Sequence, residues 1–130
     1  MSISILVLGS PFDSQSCYTA YRFVEAALTT GIKVERVFFY QSAVHTSSSL
    51  ACTPRDEFDL YTAWQSLKTT YNLDLVVCIA AAARRAVIDS SEAKRHNKPA
   101  HNMNDCFELS GLGQLIEAIA TTDKLITFGE

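Results

Sequence analysis

The segment LDLVVCIAAAARR, residues 73–85, carries an apolar run into a cysteine, four alanines and a pair of arginines. Its first eight residues have the continuous hydrophobicity of a strand buried on both faces, as in a parallel sheet, and the alanines that follow suit the start of a helix. Two upstream runs, ISILVLG at 3–9 and VERVFFY at 34–40, are of the same kind. Between those two, Cys17, Ala20, Tyr21, Val24, Ala27 and Leu28 recur at helical spacing, with Gln15, Thr19, Arg22 and Thr29 opposite and Gly31 closing the helix. A second helix is predicted from TPRD, residues 53–56. There Thr53 would cap, Pro54 would occupy the first turn and Asp56 would complete a capping-box-like pattern ahead of the stripe Leu60, Tyr61, Trp64, Leu67 and Tyr71.

Downstream, DSSE at 89–92 reads as a helix start and NKP at 97–99 as its end. Ser110 is expected to cap a helix carrying Leu112, Leu115, Ile116 and Ile119, with a final strand over 125–128 and a further short strand near 106–109. The order is β-α-β-α-β-α-α-β plus that optional strand. It predicts a single-domain α/β fold over residues 1–130, with three layers, a mostly parallel sheet of four or five strands, helices on both faces and right-handed crossovers.

At 130 residues and 48% hydrophobic content, the chain is matched to one compact core. A net charge of −3 argues against general nucleic-acid binding, although Arg84, Arg85, Lys94, Arg95 and Lys98 place five of the eleven basic residues in one segment. No apolar run nears the roughly 20 residues of a membrane span, and MSISILVLGS lacks the basic region and cleavage site of a signal peptide. A cytoplasmic protein without membrane contact is expected. In a reducing compartment Cys17, Cys52, Cys78 and Cys106 would not form a disulfide framework, and no C-x-x-C pair suggests a zinc knuckle or a thioredoxin motif.

Open α/β sheets collect functional groups at the carboxyl ends of their strands, and Cys78 falls at such an end. If the alanine run is helical, its free N–H groups and Arg84 or Arg85 would favour the thiolate. The plainer reading is a small core residue in a buried strand. The arginines also have two readings: steering or holding an anion, or forming an exposed basic surface or subunit salt bridge. Cys17 lies on the apolar stripe of its helix, Cys106 is expected to pack with Phe107, and Cys52 sits where a thiol could be exposed enough to react. His45, His96 and His101 match no compact zinc-site spacing with Cys52 or Cys106, so no metal site is expected. SGLG at 110–113 could offer N–H groups to an anion, but a cap with permissive glycines explains it more simply.

FFYQSAV, TPRDEFDLYTAW, VVCIAAAARRAVID and LSGLGQL, in that order, resemble the DsrE/DsrF-like sulfur-relay family over nearly the whole chain. The resemblance implies that Cys78 is the sulfur carrier, accepting sulfane sulfur as a persulfide and passing it to a partner thiol, an exchange that would need no metal or organic cofactor. Arg84 and Arg85 are candidate supporting groups by their charge and their place just after it. It also implies a hetero-hexamer with TusB-like and TusC-like subunits, a TusA-like sulfur donor and a TusE-like acceptor. The pathway would be 2-thiolation of the tRNA wobble uridine, with no direct nucleic-acid contact by this chain. In the DsrE-like case the same chemistry serves dissimilatory sulfur oxidation, beside DsrF and DsrH. Two further classes compete: a noncatalytic scaffold subunit, against which Cys78 argues, and a thiol redox sensor, with Cys52 as its resolving residue. The chain departs from the family pattern at Asp13, Ala43 and Ala86, where glycine often stands, and in VHTSSSL at 44–50, a loop usually richer in asparagine.

Overall fold

In the computed structural model the β-branched and aromatic runs assemble into one five-stranded sheet in which every pairing is parallel. Strands β1 (Ser2–Val7), β2 (Lys33–Phe39) and β3 (Leu75–Cys78) lie side by side; β4 (Glu108–Ser110) flanks β3, and β5 (Lys124–Phe128) flanks β1. The structure describes residues 1–129, so the last residue of the expected 1–130 domain lies outside the described residues.

Alternation of side chains along each strand, combined with the register, sorts the sheet into two faces. Ile5, Val7, Val37, Phe39, Leu75 and Val77 share one face, and each is 1% exposed or less. Helices α1 (Ser16–Thr29) and α2 (Leu60–Tyr71) close over that face. The fully buried Trp64 of α2 meets Phe39 edge-on at 5.3 Å and Tyr21 of α1 edge-on at 5.5 Å, a geometry that adds to the gain from area burial. The predicted α1 stripe is buried at Cys17, Ala20, Tyr21, Val24 and Ala27.

The opposite face carries Ser4, Phe38, Val76 and Cys78, together with Arg36. Arg36 fixes α5 (Gly113–Thr121) over it: Nε pairs with Asp74 Oδ2 at 2.7 Å, and Nη1 donates to the Gln114 carbonyl at 2.8 Å and lies 3.7 Å from Glu117 Oε1. These are charge-assisted bonds on a largely buried guanidinium, which makes them stronger than exposed pairs. Helices therefore cover both faces, as the alternating pattern predicts.

Three local expectations are corrected. Helix α2 begins at Leu60 with Asp59 as N-cap, accepting from the Thr62 N–H at 3.2 Å and the Thr62 hydroxyl at 2.8 Å, while TPRD forms a turn closed by Glu57 N–H to the Pro54 carbonyl. A cap acts immediately before the first helical residue, and Asp59 rather than Thr53 stands there. Ser110 does not cap α5; it is the last residue of β4, paired opposite Cys78, and the helix starts only at Gly113. Finally, α5 packs through buried Ala118 and half-buried Leu115, leaving Leu112, Ile116 and Ile119 at 44%, 63% and 45% exposure. At about 100° per residue, Leu112, Ile116 and Ile119 form one stripe, and the helix is rolled so that this stripe turns outward.

Helix ends follow one recurring device, with bonds from C″ and C′ back into the last turn and a left-handed residue at C′. After α1 the bonds are Ile32 N–H to Ala27 and Gly31 N–H to Leu28, with Gly31 at φ +88°. After α4 (Ser90–Arg95), which Asp89 caps as DSSE predicts, Lys98 bonds to Ala93 and Asn97 to Lys94, with Asn97 at φ +55°. After the short α3 (Ile79–Ala83), Val87 bonds to Ala82 and Ala86 to Ala83, and the left-handed residue is Ala86 at φ +62°. This backbone favours the glycine that the resemblance leads one to expect at Ala86; Asp13 and Ala43 have no such backbone. An L-residue with a Cβ costs roughly 1–2 kcal/mol in this region, offset in part by the extra unfolded-state entropy of glycine. Ala86→Gly should therefore raise unfolding free energy by about 0.5–1 kcal/mol, read as a higher urea midpoint at unchanged slope. A lower midpoint would show that the strain is relieved elsewhere.

Candidate functional site

Cys78 ends β3 and is the residue from which α3 departs, with φ −64° and ψ 118°. Ser110 of β4 pairs with Cys78 on one edge of β3, and on the other edge the ladder to β2 ends one residue earlier, at Val77. The residue is 4% exposed. It nevertheless opens onto a cavity of about 320 Å³ at the carboxyl edge of the sheet, whose walls include Tyr40, Arg84, Arg85, Gly111 and Leu112. The residue is packed like a core cysteine and also lines open space.

The walls come from three separate connections. Tyr40 and Gln41 follow β2, Arg84 and Arg85 follow α3, and Gly111 and Leu112 follow β4. Gln41 stands at φ +52°, a strained backbone for a residue with a side chain and a feature that concentrates at functional sites. Sequence reasoning missed Tyr40, Gln41, Gly111 and Leu112 as neighbours of the thiol, although each lies just beyond the carboxyl end of a strand, which is the signal that could have found them. Of SGLG, Gly111 and Leu112 line the cavity, while Ser110 ends β4 instead of capping the helix.

The two arginines differ. Arg84 is exposed, whereas Arg85 is half-buried and donates from Nη1 to the Ala81 carbonyl at 3.1 Å. Neither forms an ion pair among the described residues. Helix α3 has only five residues, so the dipole contribution expected from an alanine-rich helix shrinks to that of a single turn.

The other thiols lie apart from this cavity. Cys17 is fully buried, donating to the Gly9 carbonyl at 3.1 Å with Thr46 Oγ1 at 3.4 Å. Cys52 is exposed and lines a different cavity of about 480 Å³ with Phe12, His45 and Phe58. Cys106 is half-buried, accepting from Gln65 Nε2 at 3.4 Å, beside a buried Phe107. His45 stacks at a tilt on Phe12 with ring centres 5.7 Å apart, His96 lies 2.9 Å from Glu92 Oε2, and His101 is exposed.

Comparison with known proteins matches the DsrE/DsrF-like family model to residues 1–128. A sulfurtransferase TusD homolog of Pseudomonas aeruginosa is 47% identical over 124 residues, covering 95% of each chain. A protein named as the sulfurtransferase DsrE in Allochromatium vinosum is 41% identical over 130 residues, the full length of both. Among solved structures, the ychN protein from E. coli superposes with a TM-score of 0.77 at 19% identity, covering 98% of this chain and 99% of that one, which establishes a shared fold.

The burial of Cys17 has a measurable consequence. Desolvation pushes its thiol from 9.0 up to about 11, against the opposing effect of the Thr46 hydrogen bond. Because the folded-state value is raised, the stabilisation is complete below pH 9.0 and is lost as pH climbs through about 11. Over that interval the wild type should lose about 2–3 kcal/mol more unfolding free energy than Cys17→Ala, in paired denaturant titrations. Parallel pH profiles would show that Cys17 ionises as freely folded as unfolded.

Proposed function

We propose that the chain, which belongs to the DsrE/DsrF-like family, is a sulfurtransferase that carries sulfane sulfur on Cys78 from one protein to another. The observation that carries this reading is a sheltered thiol opening on a cavity at the sheet's carboxyl edge, in a chain with full-length relatives named as sulfurtransferases. The Cys78 thiolate attacks the outer sulfur of a donor persulfide, R–S–SH. The donor S–S bond breaks with its electron pair on the inner sulfur, which leaves as R–S⁻, while the outer sulfur and its proton stay as Cys78–S–SH. An acceptor thiolate A–S⁻ then attacks that outer sulfur, forming A–S–SH and returning Cys78 as thiolate. Oxidation states balance across each exchange, so the relay consumes no oxidant or reductant.

Residues 1–130 act as one sulfur-transfer domain in the cytoplasm. The TusD-named relatives favour a role in tRNA wobble-uridine thiolation, with TusB-like and TusC-like subunits in a hetero-hexamer, a TusA-like donor and a TusE-like acceptor. The outward stripe of Leu112, Ile116 and Ile119 is the kind of apolar surface on which such subunits assemble. The 41% identity to DsrE supports a second pathway, sulfur oxidation, with the same chemistry at Cys78. Cys52 lies in a cavity that shares no lining residue with that of Cys78, which disfavours an intrachain sensor disulfide.

Cys78→Ser should fold and assemble but gain no sulfur mass from a persulfide donor, because oxygen cannot hold the persulfide. Undiminished loading of that variant, mapped to another thiol, would end the assignment. Arg84, exposed at the cavity and without an ion-pair partner among the described residues, is the residue suited to steer an acidic carrier, while Arg85 is tied to a main-chain carbonyl. Arg84→Glu should slow transfer from a protein donor by about tenfold at low salt and have little effect where charges are screened over about 8 Å. A small persulfide donor serves as control; equal slowing with both donors would move Arg84 from steering to thiolate stabilisation.

A further inference from the structure

Beside the Cys78 cavity lies a second one of about 540 Å³, and Arg84 belongs to the walls of both. Its floor is apolar, with Leu50, Ala83, Ala86, Ile88, Pro99 and Ala100. The ionisable wall residues are Arg84, His96, Lys98 and His101, with no carboxylate among them. Glu92, next to His96, is buried and already engaged at 2.9 Å by His96 and 3.4 Å by Arg95. Arg84 and Lys98 have no ion-pair partner among the described residues.

The groove is also held in shape before anything binds. The Asn102 side chain accepts from the Ile88 N–H at 3.0 Å and donates to the Ala86 carbonyl at 3.0 Å and the Ser48 hydroxyl at 3.1 Å. The Asn102 main-chain carbonyl receives the Ser49 N–H at 2.7 Å and the Ser49 hydroxyl at 2.8 Å. These bonds tie the loop after α4 to the turn after α3 and to the loop after the 3₁₀ turn Gln41–Ser47, so binding need not order either wall.

We propose that this groove seats an extended acidic segment of the thiol-bearing partner, with an apolar side chain on the floor and flanking carboxylates against Arg84 and Lys98. The proposal deepens the relay reading and rests on it for the existence of that partner. With Cys78 only 4% exposed, a partner thiol has to enter its cavity, and the residues beside that thiol run along the adjoining wall, which Arg84 shares with the groove. Two cations, Arg84 and Lys98, with no carboxylate among the lining residues select an acidic segment over a basic one, and the apolar floor asks for more than charge.

The test uses the intact, unloaded chain and three acetylated, amidated peptides with serine in place of the transferring cysteine: Glu-Leu-Asp-Gly-Ser, the charge-reversed Lys-Leu-Lys-Gly-Ser, and Glu-Ser-Asp-Gly-Ser without the apolar residue. The first should shift the amide resonances of Arg84 and of Lys98 to Asn102 and bind roughly tenfold tighter than either other peptide at low salt. Lys98→Glu should abolish the preference for the first peptide over the second. Equal binding of all three, a shift map elsewhere on the surface, or self-association lost in Lys98→Glu, which would assign the groove to a second copy, overturns the proposal. Sulfur loading of the wild type is measured separately: Cys78 loading without peptide preference sinks the groove alone, whereas peptide preference without Cys78 loading upholds the groove and sinks the relay.

Discussion

A parallel sheet brings the carboxyl ends of all its strands to one edge, and the position of Cys78 depends on that constraint. Because β3 is hydrogen-bonded on both sides, the last residue of the strand cannot move without breaking a ladder to β2 or β4. Connections that leave β2, β3 and β4 must all turn at the same edge. That is how Tyr40, Arg84 and Leu112, far apart in the chain, come to share one cavity around a single sulfur.

The two faces of the sheet are secured by different physics. Under α1 and α2 the packing is apolar and aromatic, centred on Trp64, and even the buried indole N–H has no hydrogen-bond partner among the described residues, so this residue acts through volume and ring contacts. Across the sheet, α5 buries little and is held through Arg36, which reaches Asp74 at the approach to β3 and the Gln114 carbonyl in the first turn of the helix. Leu112, immediately before that turn, is part of the wall of the thiol cavity. The wall is therefore anchored to the sheet by a charge-assisted contact, which leaves the apolar stripe of α5 free to meet another chain.

The division of labour among the cysteines follows from the same layering. Cys17 is enclosed between Gly9 and Thr46 in the dry layer beneath α1, where desolvation keeps it a thiol. Cys52 is carried by an exposed loop, and Cys106 is half-buried. Cys78 alone combines a rigid backbone with a cavity, because it is the one cysteine at the carboxyl end of a strand.

Much of this was legible in the sequence, for a definite reason. Continuous β-branched runs and 3.6-residue stripes are local signals, so three central strands, the α1 stripe, the Asp89 cap and a strand-end Cys78 could be read from residues 3–9, 17–28, 34–40, 73–80 and 89–92. Caps were legible only where a single candidate stood next to the stripe; with Thr53 and Asp59 both available, the closer residue won, and Ser110 was claimed by a strand ladder that no local pattern announces. The sequence by itself determined the parallel α/β architecture and the placing of the thiol, since both follow from periodicity and strand order. Only the tertiary structure decided which residues surround that thiol, that Arg84 is open while Arg85 is tied to a carbonyl, and that the α5 stripe faces outward, because each of these depends on the packing of segments that periodicity cannot relate.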